Sequence, residues 1–128
     1  MTQWRDKARA EFPEFRSLLE QDSWSCHVFL FELVRFSVEA HYAHDSDALR
    51  RTYGFAEWCW EQPSGFLANA ASVSFYEHVF DEWELRHEVV PWLPTAVKTA
   101  VLPLLEWRLP SERFTEADRL LSETNPPE

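Results

Sequence analysis

A chain of 128 residues has the size of one domain, and with 45% hydrophobic and 16% aromatic residues it carries enough apolar surface for a core, which excludes global disorder. Acids outnumber bases 22 to 12, a net charge of −10 that has the wrong sign for nucleic acid or an anionic membrane surface. Two glycines leave few positive-φ positions for the turns of a many-stranded β fold, so the expected class is all-α. The expected architecture is a single domain of five or six packed helices, bundle-like or a superhelical array, over residues 1–122, with 123–128 as a disordered tail.

Thr2 is placed to cap a first helix carrying Trp4, Ala8, Phe12, Phe15, Leu18 and Leu19, which Pro13 kinks or restarts. A second helix is expected from about Ser23 to Tyr42, with apolar residues around most of its circumference, and a third from Ser46 or Asp47 to about Gln62. The fourth, Phe66 to Trp83, mixes Ala68, Ala70, Ala71, Ser72 and Ser74 with larger side chains. Small residues permit close approach, so this helix is expected at the centre of the fold. Pro91 and Pro94 introduce a fifth helix kinked at Pro103, and a short amphipathic helix with Phe114, Ala117, Leu120 and Leu121 follows Pro110. Acidity is spread along the chain: residues 1–64 hold 11 acids against 7 bases, and residues 65–128 hold 11 against 5.

The charged N-terminus lacks the apolar stretch of a secretory signal, and the longest run free of charged residues, Gln62 to Tyr76, is too short and polar to span a bilayer. A soluble cytoplasmic protein is the expectation. Cys26 and Cys59 lie in apolar stretches without CxxC spacing, which reads as reduced core thiols.

Glu77 and His78 fall on the helix expected at the centre, where an ionisable group needs a partner. His41 and His44, close to Asp45 and Asp47, have a spacing that permits metal ligation, and Glu84 to His87 is a single Glu-x-x-His where a di-iron bundle needs two. These donor sets are incomplete, so no metal and no cofactor is expected. Cys26 and His27 would point about 100° apart on a helix, and there is no Gly-x-Ser-x-Gly or Gly-rich phosphate loop, so no catalytic residue is assigned. The densest candidate is acidic and aromatic: Glu77, Asp81, Glu82, Trp83 and Glu84, followed by Glu88, with Arg86 the one offsetting base. Glu57 and Glu61, beside Trp58 and Trp60, form a second patch. Such surfaces steer a basic protein and anchor it through an aromatic residue.

Phe12-Pro13-Glu14, Phe55-Ala56-Glu57, and Asn69-Ala70 followed by Val73-Ser74-Phe75-Tyr76-Glu77-His78 resemble the motifs of a family of small bacterial proteins classed as a domain of unknown function. The likeness spans about residues 11–109, with Tyr76 where the pattern has Leu. It implies an all-helical body, and some similar proteins are suspected to be immunity proteins encoded beside polymorphic toxins. The expected function is therefore an immunity protein, not an enzyme, that binds a basic toxin through the two acidic patches. The alternatives are a helical adaptor and a metal-dependent hydrolase using the Glu77/His78 region.

Overall fold

The computed structural model of the chain describes residues 3–20 and 25–123. The expected caps and helix start at Thr2 and Ser23, and residues 124–128 of the expected tail, lie outside the described residues; Glu123 itself ends a helix. Every regular element among the described residues is helical, and the fold class is all-α. The helices are α1 (Gln3–Glu11), α2 (Arg16–Leu19), α3 (Cys26–Ala43), α4 (Ser46–Trp60), α5 (Gly65–Ser74), α6 (Arg86–Val89), α7 (Thr95–Ala100), α8 (Leu102–Arg108) and α9 (Ser111–Glu123). They gather into two compact units that divide between Phe75 and Tyr76.

In the first unit α3, α4 and α5 pack on one another, and α1 lies against α2 and α4. Ser25 starts α3 by accepting the Val28 amide on its hydroxyl at 3.2 Å. The helix stops at His44, which takes the left-handed conformation (φ 55°) without being glycine. That conformation costs a residue with a Cβ about 1 kcal/mol, offset here by the His44 amide bonding the His41 carbonyl and the Asp45 amide reaching Ala40. The Asp45 carboxylate then caps α4 through the Ala48 amide at 3.1 Å, so two residues complete a tight helix hairpin.

The core of this unit is aromatic. Phe29 meets Phe12, Phe15 and Phe55 edge-to-face with centroids 5.6, 5.7 and 5.3 Å apart, and Trp4 tilts against it at 6.0 Å. This geometry sets the positive edge of one ring on the negative face of the next. Cys26 and Cys59 are buried free thiols. Interaction with the Cys26 thiol, together with burial, pushes the Cys59 thiol well above its ordinary pKa.

Pro13 restarts the chain as expected, opening a 3₁₀ turn over Pro13–Phe15 after α1 ends at Glu11. The expected Phe66–Trp83 helix is not continuous. α5 stops at Ser74, a 3₁₀ turn follows over Tyr76–His78, and another over Trp83–Leu85 leads into α6. A helix carried on to Trp83 would set Glu77, Asp81 and Glu82 at the negative end of its own dipole. α5 is not the most buried helix either: Ala70 and Ala71 are its buried residues, whereas α3 buries eight, from Cys26 to His41.

In the second unit α7 and α8 together replace the expected fifth helix, α8 packs on α9, and α7 also touches α9. The break is at Val101 (φ −88°, ψ −8°), just before Pro103, because proline has no amide for the Thr99 carbonyl and restricts the residue ahead of it. No helix of the described residues is long and apolar enough to cross a membrane.

Candidate functional site

The two expected acidic patches lie on different units. On α4, Glu57 is half-buried and Glu61, at the helix C-cap, is exposed. Burial first, and then the charge of Glu61 one turn on, hold the Glu57 carboxyl above the usual carboxylate range. Like charges one turn apart cost a few tenths of a kcal/mol, and the negative end of α4 adds to the repulsion. Trp58, between them in sequence, stacks on Phe55 at 6.1 Å and carries the Lys7 ammonium 5.4 Å from its ring centroid.

The longer stretch, in the second unit, is arranged quite differently. Arg108 of α8 donates to Asp81 through Nε at 2.9 Å and Nη2 at 2.8 Å, and His78 Nδ1 lies 2.9 Å from the same carboxylate. Burial opposes the charged Asp81, but the hydrogen bonds from Arg108 and His78 outweigh it and hold the carboxyl below its ordinary value. The same pairing raises Arg108, and the charge of half-buried Glu77 adds to it. Two guanidinium groups lie over the Trp83 ring, Arg86 at 4.8 Å and Arg113 at 5.1 Å from its centroid. Arg86 also bonds the Trp83 carbonyl at 2.9 Å and Glu116 at 2.7 Å, which lowers the Glu116 pKa. Glu82 is half-buried and Glu84 exposed. The expected acidic and aromatic stretch is thus threaded with arginines from α6, α8 and α9. No short-range pattern signals them, since Arg108 and Glu116 stand 27 and 30 residues from their partners.

The histidines have separate surroundings. His41 is 2% exposed, its Nε2 lies 2.8 Å from the Tyr53 hydroxyl, and burial pushes that phenol above its ordinary pKa. His44 is exposed, and exposed His87 stands 4.0 Å from Glu116. No three His, Cys, Asp or Glu side chains among the described residues gather as a metal would require.

Two contacts have the geometry of acid–base chemistry. Asp81 orients the His78 ring as a general base is oriented, although it shares that carboxylate with Arg108. His27 Nδ1 lies 2.7 Å from the Ser74 hydroxyl, the spacing of a nucleophile and its base, a contact the sequence reading missed. Ser74 is the last residue of α5, where the helix dipole opposes the negative charge that an acyl-transfer intermediate develops.

No curated protein and no solved structure matches the chain. A family model described as a domain of unknown function, DUF7674, matches residues 5–108. That match takes in the whole first unit from Arg5 and, in the second, everything up to the end of α8, so the chain belongs to the DUF7674 family.

Proposed function

We propose that the protein works by binding another protein, as an immunity protein that neutralises a basic bacterial toxin. The observation that carries this reading is the Glu57–Glu61 pair, one turn apart on α4. Burial first and then the charge of Glu61 disfavour the ionised Glu57 in the free protein, and an arginine or lysine brought between the two carboxylates turns that repulsion into attraction. The net charge of −10 supports it by favouring encounter with a cation-rich surface.

Within this reading the two patches have different roles. Glu57 and Glu61 are the primary contact, flanked by Trp58 and Trp60. In the second patch Glu77, Glu82 and Glu84 supply negative charge, while Asp81 and Trp83, engaged by arginines of their own unit, hold the stretch in shape.

The test is co-expression with the product of the gene next to it in the source genome. The expected result is a one-to-one complex of about nanomolar affinity that blocks the partner's toxicity. Charge reversal of Glu57 and Glu61 together should slow association by about tenfold or more at low salt and less at high salt. Many weak partners and no tight one would instead make the protein an adaptor, and an association rate indifferent to charge reversal at both patches would refute the acidic interface.

A further inference from the structure

A cleft in the second unit brings two cations together in a chain whose net charge is −10. Its volume is about 420 Å³, and its walls are Phe80 and Asp81 from the segment between the last two 3₁₀ turns before α6, Arg108 at the end of α8, Leu109 and Pro110 of the link that follows, and Arg113 in the first turn of α9. At the roughly 30 Å³ that a water molecule takes in the liquid, there is room for about a dozen non-hydrogen atoms. The lining holds two guanidinium groups against one carboxylate, and its other side chains are apolar.

Both guanidinium groups are positioned by their own unit. Asp81 grips Arg108 along one edge, through Nε at 2.9 Å and Nη2 at 2.8 Å. A guanidinium has a second fork, Nη1 with the other N–H of Nη2, which matches the two oxygens of an incoming carboxylate. Arg113 lies 5.1 Å from the Trp83 ring, and Trp83 meets Phe80 edge-to-face at 6.4 Å, so the aromatic residue in the cleft wall belongs to the same packed group that supports the cation. Groups placed in this way give up little freedom when a ligand arrives.

We propose that this cleft binds a monocarboxylate with an apolar body, its charge between Arg108 and Arg113 and its body against Phe80, Leu109 and Pro110. A doubly charged phosphate is the poorer fit, because Asp81 lies in the wall, the charge of Glu77 also reaches Arg108, and the acidic chain as a whole repels polyanions. A free small acid and the C-terminal residue of a peptide present the same chemistry, and the test separates them. The site lies apart from the Glu57–Glu61 patch and does not depend on the function proposed above.

The probe is 3-phenylpropionate, titrated into the ¹⁵N-labelled full chain at low salt while NMR follows the backbone amides and the arginine Nε–H signals. The expected result is a set of saturable shifts centred on Arg108 to Arg113, with a dissociation constant of about 0.1–1 mM for so small a ligand in an open cleft, weakening as salt is added. 3-Phenylpropanol, which keeps the body and lacks the charge, and acetate, which keeps the charge and lacks the body, should each bind about tenfold more weakly or worse. Arg113→Gln, at an exposed position outside the Asp81–Arg108 pair, should weaken binding about fivefold or more with an unchanged far-UV circular dichroism spectrum. A tripeptide ending in phenylalanine with a free carboxylate is then compared with the same probe: tighter binding assigns the cleft to a chain end, and equal or weaker binding to a free acid. The absence of saturable shifts up to about 10 mM overturns the proposal, as do equal affinity for 3-phenylpropanol, equal or tighter binding of inorganic phosphate at matched ionic strength, or wild-type affinity in Arg113→Gln.

Discussion

Replacing Asp81 with asparagine removes the charge on which three hydrogen bonds converge, two from Arg108 at 2.9 and 2.8 Å and one from His78 at 2.9 Å. A buried charge-assisted bond contributes about 1.5–3 kcal/mol. Here the Asp81 and Arg108 side chains are 37% and 34% exposed, so solvent screening pulls each pairing toward the surface value of about 1 kcal/mol or less. With two partners the expected loss is about 1–2 kcal/mol, or about 3–8 °C in melting temperature for a chain of this length. Thermal melts by circular dichroism read the effect, and Arg108→Gln alone and combined with Asp81→Asn completes a cycle whose coupling should be about 1 kcal/mol. Because the folded-state pKa of Asp81 lies below 3.8, this stabilisation is fully present above that pH and is lost as the pH falls through the depressed value. Wild type and Asp81→Asn should therefore converge in strong acid. A variant that melts with wild type at neutral pH, and a cycle with no coupling, would refute the assignment of Asp81 to the scaffold.

Phe55, 1% exposed and edge-on to Phe12 and Phe29, should cost about 3–5 kcal/mol when truncated to alanine; urea unfolding measures this, and a loss under about 1.5 kcal/mol would contradict the packing described. Glu57→Gln should stabilise the protein by a few tenths of a kcal/mol at neutral pH, since the raised pKa means that folding penalises the ionised carboxyl. The gain should vanish as the pH drops through that raised value. Denaturant midpoints at neutral and mildly acid pH check it, and destabilisation at neutral pH would show that the carboxylate pair is not strained.

Much of the backbone is legible in local sequence because its signals act within a few residues. Asp45 lies three residues before the amide it caps, and Pro13 and Pro103 act on their nearest neighbours, so the break after α1 and the division between α7 and α8 can be read within a residue or two. The fourth helix differs from its expectation for the opposite reason: its alanines and serines look continuous, and Glu77, Asp81 and Glu82, which disfavour its continuation through the dipole, lie beyond its end. The candidate site divides the same way. Glu57 and Glu61 interact along one helix, and the sequence shows them as neighbours. The state of Asp81 and Trp83 depends on Arg108 and Arg113, whose approach is a product of tertiary packing that no spacing rule reports.

Both cysteines of the chain belong to the first unit, and the second has no thiol. An alkylating reagent attacks the thiolate, so Cys26 and Cys59, each at most 1% exposed and the latter held far from ionisation, wait for the helices around them to part. Where reclosing is faster than alkylation, the labelling rate follows the free energy of that opening; with excess reagent it follows the opening rate itself. The wild-type chain thus contains its own clock for the first unit, and setting that clock against the loss of total helix signal tells whether the two units melt as one.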